Sequence, residues 1–352
     1  MRMFRKFLEY VKPINRQTGI NKLNYILNFV NGGLYNKFKL GNIPNTPIFL
    51  MMEATTRCNL NCIMCEHRNL THKNISELSF EEVKKIINKI PYRGSVTIAG
   101  IGEPFCNKDF MKIIKFCKEK GLKVVFPSNF TLLNTEKISE LVSLGVDEII
   151  VSFDGATKKT YESIRVGANF EKVILNIKEL SKIKKEHNKK VPRLIVQFVE
   201  QENNVHEIPL LLKLCSKLGV DEVTIAPLVD LKKPPAKEII KKKKQETKVQ
   251  KLAKRLRIKL HNVQSAQPLN KCNWPFLGVF ITSEGYVLPC CQVTQRGFSR
   301  DFLNRNSFGN ILKRDFKEIW FSKKYREFRE QIKKGKAPLL CKNCHYYIEN
   351  KK

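Results

Sequence analysis

The chain has 352 residues, 42% of them hydrophobic and 28% charged, which suits a globular protein of one or two domains and excludes a disordered or collagen-like one. Its longest apolar runs, such as Pro47–Met52, are too short to cross a bilayer, and Arg2, Arg5, Lys6, Glu9, Lys12 and Arg16 interrupt any secretory signal, so a cytoplasmic protein is expected. The net charge is +32, yet residues 46–231 are nearly balanced (27 basic, 23 acidic), while 232–259 hold thirteen basic against two acidic side chains.

Residues 1–45 read as a basic N-terminal extension. From Pro47 to about Leu228 short β-rich runs alternate with amphipathic stretches. The strand candidates are Ile48–Glu53, Ser95–Ala99, Leu122–Phe126, Glu148–Phe153, Arg193–Val199 and Glu222–Ala226. The helical patterns between them are Ser79–Ile90, Lys108–Lys120, Thr135–Leu144, Asn169–Lys185 and Val205–Leu218. Ser79 followed by Glu82 is an N-terminal signature, and Gly121, Gly145 and Gly219 sit just past three helix ends. Such β/α units in series imply an α/β fold with a parallel sheet, either an open doubly wound sheet or a partial barrel. The stretch 231–262, with Pro234-Pro235, Lys241–Lys244 and then a charged helix pattern, reads as a lysine-rich surface connector. Residues 263–352 read as a small separate module: Gly278–Thr282 and Tyr286–Pro289 flank Ser283-Glu284-Gly285, a hairpin signal, and a helical pattern over Asp315–Lys333 precedes Cys341-x2-Cys344.

Eleven cysteines without a secretory signal point to metal or redox chemistry rather than a disulfide framework. Cys58, Cys62 and Cys65 follow the first strand directly, and in parallel α/β folds the loops at the C-terminal strand ends build the active site. Three thiolates there can hold three corners of an iron–sulfur cubane and leave one iron open. An incomplete zinc site or structural cysteines are the alternatives, and no fourth local ligand is evident. Cys117 and Cys215 fall within amphipathic helices and read as small core residues, whereas Cys106 follows a Gly-Glu-Pro loop and could line a pocket.

The spacing C-x3-C-x2-C after a first strand resembles the signature of the radical S-adenosylmethionine (SAM) superfamily. Gly100-Ile101-Gly102-Glu103-Pro104 resembles that family's Gly-Gly-Glu motif, whose backbone binds the SAM amino group, with Ile101 in place of the first glycine of the pair. Ser128-Asn129 stands at the end of the third strand, where Asn is common. Val151-Ser152-Phe153-Asp154-Gly155, with Tyr161 and Arg165, resembles the region that contacts ribose and carboxylate. Met64 stands where many members carry an aromatic residue against the adenine. The resemblance implies a partial (β/α)6 TIM-like barrel over 46–230. It implies a [4Fe-4S] cluster on Cys58, Cys62 and Cys65, and SAM held by Met64, Gly100, Gly102, Glu103, Asn129, Ser152 and Arg165. Reductive cleavage of SAM to a 5′-deoxyadenosyl radical is the implied chemistry, with flavodoxin or ferredoxin as electron donor.

On spacing alone Cys272, Cys290, Cys341 and Cys344 suit a closed iron–sulfur or structural zinc site. The segment resembles the SPASM/twitch module of radical SAM enzymes, with Trp274-Pro275, Asn310-Ile311 and the Phe316–Trp320 helix start in place. That resemblance implies one auxiliary [4Fe-4S] cluster on those four cysteines, with Cys291 left over. A closed second cluster suits a substrate radical that must lose an electron, as in the aminocyclitol dehydrogenases. The 45 residues before the first strand are short for a peptide-recognition domain. The expected activity is therefore that of a radical SAM oxidoreductase acting on a small polyol, sugar or nucleoside-like substrate. Modification of a peptide or protein, or of nucleic acid, is the alternative. The basic flanks could touch nucleic acid or a membrane surface peripherally, but solvated lysine-rich helix faces are the favoured account of them.

Overall fold

The computed structural model describes residues 46–70, 75–90, 94–228, 243–262, 267–268, 270, 272–295, 299–342, 344 and 347–348. The basic extension 1–45 and residues 231–242 of the expected connector lie outside them. Strand β1 (Phe49–Met52) leads through the cysteine loop to α1 (Phe80–Lys89). There follow β2 (Ser95–Ile98), α2 (Phe110–Glu119), β3 (Lys123–Ser128), α3 (Thr135–Ser143) and β4 (Glu148–Ser152). After β4 come α4 (Lys158–Ile164), α5 (Phe170–Glu186), β5 (Arg193–Glu200), α6 (Ile208–Lys217) and β6 (Glu222–Pro227). Each strand pairs in parallel with the next one in sequence, from β1 through β6. A doubly wound sheet reverses its strand order at a switch point, and the run from β1 to β6 does not; its winding is that of a barrel.

Local chemistry explains the elements. Ser79 caps α1 in a complete capping box: its hydroxyl accepts from the Glu82 amide, and the Glu82 carboxylate accepts from the Ser79 amide at 2.9 Å. Gly121, Gly145 and Gly219, with φ of 71°, 64° and 72°, end α2, α3 and α6 in the left-handed region. The strands are apolar toward the helices, and Val96, Val124, Ile149 and Phe198 are among the fully buried residues of one continuous core. At the N-terminal ends of β3 to β6 charges interlock: Glu148 pairs with Lys123 and Arg193, and Arg193 reaches on to Glu222 at 2.8 Å.

Three expectations change. The second half of the expected connector is exposed along one face but is more than a connector. It forms α7 (Lys243–Arg255) and β7 (Lys259–Asn262), and β7 pairs in parallel with β6 as a seventh β/α unit. Val249, Leu252, Ala253 and Leu256 supply the apolar stripe that packs α7 on the core. The Asp315–Lys333 pattern is two helices, α10 (Phe316–Trp320) and α11 (Lys323–Lys333). They part at Phe321, and Ser322 caps the second.

The C-terminal region is also not separate from the barrel. After β8 (Gln267–Pro268) and α8 (Trp274–Leu277), strand β9 (Gly278–Ile281) pairs in parallel with β1 on the edge that β2 leaves open. The turn at Gly285 (φ 81°) returns the chain as β10 (Val287–Leu288), antiparallel to β9. The sheet thus has nine strands in the order β10-β9-β1-β2-β3-β4-β5-β6-β7. A lone β1 edge would expose a row of unpaired amides and carbonyls, and the hairpin covers it. Helix α9 (Arg300–Asn306) and the short β11 (Tyr347–Ile348), parallel to β8, complete the described α-helices and strands.

Candidate cluster and cofactor site

The cysteine loop leaves the C-terminal end of β1 and is fastened from several sides. Asn61 and Ile63 donate backbone hydrogen bonds to Val166, just past α4, and to Ile164, its last residue, at 2.9 and 3.0 Å. Two thiols accept amide hydrogens: Leu60 N–H points at Cys58 Sγ (3.5 Å) and His67 N–H at Cys65 Sγ (3.4 Å). Amide-to-sulfur bonds of this kind orient and stabilise ligating thiolates. Burial pushes the Cys58 thiol up to about 12 and raises Cys62 and Cys65 as well. Burial thus disfavours the free thiolates, and binding of a metal centre would release their protons. Among the described residues no three His, Cys, Asp or Glu side chains converge on one point that would hold a single metal ion. A four-iron cubane asks for something else, namely thiolates spread over separate irons.

The loop after β2 lies against the cysteine loop. Glu103 N–H donates to Arg57 C=O at 2.7 Å. A Cβ on Gly102 would stand 2.4 Å from Thr55 O and 2.6 Å from Arg57 O, so only glycine permits this approach. Among the described residues the carbonyls of Gly100, Ile101 and Gly102 accept no hydrogen bond, which leaves a row of acceptors suited to an ammonium group. The Glu103 side chain is otherwise engaged. It is buried (3% exposed) and accepts from Ser128 Oγ (2.8 Å) and Asn129 N–H (2.7 Å), welding this loop to the end of β3. Burial raises its pKa against those donors.

Asn129 joins the cysteine loop directly: its Nδ2 donates to Asn59 Oδ1 at 2.9 Å, and Asn59 donates on to Thr131 Oγ1 at 2.8 Å. Ser152 closes β4 and is half-buried. Arg165, just after α4, reaches into the interior. Its Nη2 lies 2.6 Å from Asp154 Oδ2 and its Nη1 3.9 Å from Cys62 Sγ. Asp154 is fully buried and also accepts from Val199 N–H at 2.7 Å. Burial raises the Asp154 pKa, and the Arg165 guanidinium opposes it. The Nε of Arg165 is buried without a hydrogen-bond partner, a donor left over for an acidic group. Met64 is half-buried and lines a shallow open cavity of about 320 Å3 with Ile63, Cys65, Glu66, Arg68 and Asn69. The sequence-expected residues from β1, β2, β3 and β4 therefore gather at one end of the sheet.

The second cysteine group assembles from three segments. The Cys272 thiol is raised to about 12, by burial first and by the nearby Cys290 and Cys344 thiols next. Cys344 N–H donates to Cys341 C=O at 3.2 Å, closing the Cys-x2-Cys turn. Cys291 is pushed up to about 12 by burial and then by Cys290, and its thiol faces Gln292 Nε2 at 3.9 Å. Cys117 and Cys215 are core residues, as expected. Cys106 is half-buried, and its thiol lies close enough to Cys58 to act on it electrostatically.

Sequence reasoning missed Glu53, Ser283 and Arg300. Glu53 is 0% exposed at the junction of β1 and the cysteine loop. Its Oε1 accepts from Ile101 N–H at 3.0 Å, while Oε2 accepts from Ser283 Oγ and Arg300 Nη1, both at 2.9 Å. An acidic residue between a strand and the Cys motif was the only sequence signal, since its cation lies 247 residues away.

Residues 52–212 match the radical SAM superfamily, and residues 272–345 match the SPASM iron–sulfur cluster-binding domain. The tungsten-containing aldehyde ferredoxin oxidoreductase cofactor-modifying protein of Pyrococcus furiosus is 29% identical over 84% of this chain and 86% of its own length. The AdoMet-dependent heme synthase of Methanosarcina barkeri is 31% identical over 50% of this chain and 49% of its own. In three dimensions the chain is similar to Streptococcus suis SuiB bound to S-adenosylmethionine, with a TM-score of 0.66 and 16% identity, covering 89% of this chain and 79% of that one.

Proposed function

This chain belongs to the radical SAM superfamily and carries a C-terminal SPASM module, and we propose that it uses the radical from SAM to oxidise a small organic molecule, a polyol-, sugar- or nucleoside-like compound or a cofactor built from one. The superfamily works with a [4Fe-4S] cluster and SAM, and the SPASM domain binds auxiliary iron–sulfur clusters. When bound, these groups supply one electron to cleave the sulfonium, take one hydrogen atom from the substrate, and accept the electron that the substrate radical loses with a proton.

In this proposal Cys58, Cys62 and Cys65 hold the first cluster. The free carbonyls of Gly100–Gly102 receive the SAM amino group, and Arg165, charge-balanced by Asp154, offers its spare Nε to the carboxylate. Asn129 and Ser152 flank the ribose, and Met64 provides an apolar wall for the adenine. Cys272, Cys290, Cys341 and Cys344 saturate the second cluster, which suits electron transfer rather than substrate ligation. The observation that carries the proposal is the meeting of the cysteine loop, the Gly100–Glu103 loop and Arg165 at one end of the sheet.

A small-molecule substrate is favoured because a relative matched over 84% of this chain is a cofactor-modifying protein. The likeness to SuiB, at 16% identity, concerns the fold. Nucleic-acid contact through residues 231–242 falls outside the described residues. The test replaces Cys341 and Cys344 together and offers the protein a small-metabolite pool and a peptide pool under reducing, anaerobic conditions. SAM cleavage should survive in part while oxidised product disappears, and only the metabolite pool should raise 5′-deoxyadenosine formation. Oxidised product at the wild-type rate from a folded double variant would remove the electron-acceptor role, and stimulation by peptides alone would reassign the substrate.

A further inference from the structure

The Glu53 carboxylate touches both halves of the molecule at once. On one side it accepts the Ile101 amide from the middle of the Gly100–Glu103 loop (3.0 Å). On the other it accepts from Ser283 N–H (3.2 Å), Ser283 Oγ (2.9 Å) and Arg300 Nη1 (2.9 Å), all from the C-terminal module. Arg300 is itself 4% exposed and is held by Ser283 Oγ (2.9 Å) and Glu284 Oε2 (3.2 Å). Ser76, on the approach to α1, adds a hydroxyl contact to Ser283 at 2.6 Å.

Two features argue that this is more than a staple between packed units. A Cβ on Gly100 would lie 2.3 Å from Glu53 Cγ and 2.6 Å from Oε1, so the loop is pressed onto this carboxylate. And the turn that bears Ser283 and Glu284 runs through β10, only Val287 and Leu288, to Pro289 and Cys290. A displacement of the second-cluster ligand thus has a short route, along the chain to Ser283 and then through the hydrogen bonds of Glu53 to the Ile101 amide. Buried charge pairs with every partner satisfied admit few alternative geometries.

We propose that Glu53 is a positioning residue, through which Arg300 and Ser283 of the C-terminal module fix the Gly100–Glu103 loop in its SAM-accepting form. Loading of the second cluster and binding of SAM are then coupled. The inference rests on the SAM reading of that loop. Coupling of this kind is reciprocal: whatever the module does for SAM affinity, SAM does for the module.

The test uses the anaerobically reconstituted full chain and hydrogen–deuterium exchange with and without SAM. SAM should slow exchange at 99–103 and also at 282–286 and 300–306 in the module. Arg300→Gln should keep its iron content, bind SAM roughly ten-fold more weakly, the scale of one lost charge-assisted hydrogen bond, and lose the module protection; Arg300→Lys should restore part of both. Ser283→Ala removes the hydroxyl contacts to Glu53 and Arg300, keeps the Ser283 amide bond to Glu53 and unpairs no charge, and should show the same loss in milder form if Arg300→Gln fails to fold. Protection confined to 99–103 in the wild type, or SAM affinity unchanged in folded Arg300→Gln and Ser283→Ala, would overturn the coupling and leave the SAM site standing. No SAM binding by the wild type would overturn both.

Discussion

Replacing Gly102 with Ala puts a methyl group where the cysteine loop and the Gly100–Glu103 loop touch. The added Cβ would meet Thr55 O at 2.4 Å, Arg57 O at 2.6 Å and Thr56 C at 2.8 Å, whereas ordinary contact begins near 3.4 Å. All three atoms are backbone, so no side-chain rotation relieves the overlap, and one loop must retreat by about 1 Å. The retreat stretches the 2.7 Å bond from Glu103 N–H to Arg57 C=O, which ties the loops together. Overpacking of this size costs about 1–3 kcal/mol of stability. A misplacement of about 1 Å at a reacting centre is expected to slow turnover on the order of 100-fold. Thermal denaturation and chromatographic measurement of 5′-deoxyadenosine under dithionite give the two quantities separately. Gly145→Ala is the control: its Cβ meets nothing within 4 Å, so only the left-handed backbone (φ 64°) costs stability, and turnover per folded molecule should not change. Gly102→Ala with wild-type SAM cleavage would refute the contact between the two loops as a determinant of the site.

The remaining expectations concern the buried charges. Asp154→Asn leaves Arg165 buried without its counter-ion and should cost about 3–5 kcal/mol, read as a lowered unfolding midpoint, with SAM affinity falling as Arg165 loses its anchor. An unchanged midpoint would contradict the pairing. Glu148 is pushed up by burial, but Lys123 and Arg193 outweigh this and hold its pKa below the usual carboxylate value. Its contribution is therefore complete above the unfolded value of about 4.3 and is lost as pH falls through the lower folded value. The gap in melting temperature between wild type and Glu148→Gln should be widest near neutral pH and close in acid; a gap independent of pH would contradict it.

The barrel was legible because its signals are local. Hydrophobic period, the Ser79–Glu82 box and the glycines at 121, 145 and 219 each act within a few residues, and the strands fell close to their expected bounds. The seventh unit showed only as a charged helix pattern, because lysines dominate α7 and the apolar side chains that dock it are few: Val249, Leu252 and Ala253, with Leu256 just past its end. Helix α4 escaped because seven residues hold too few apolar repeats to set a period. The cysteine spacings pointed to the site, but the attachment of the module did not show, since pairing of β9 with β1 joins segments more than 200 residues apart. The same distance hid the Glu53–Arg300 pair, which no local pattern encodes.

The central claim, a radical SAM site on Cys58, Cys62 and Cys65 beside a second cluster, is tested most directly by anaerobic iron and sulfide content together with SAM cleavage under dithionite. The wild type should hold about eight irons, for two four-iron clusters, and form 5′-deoxyadenosine. The variant with Cys58, Cys62 and Cys65 all replaced by Ala should keep about four irons and form none. Zinc in place of iron, or deoxyadenosine from the triple variant, would contradict the account.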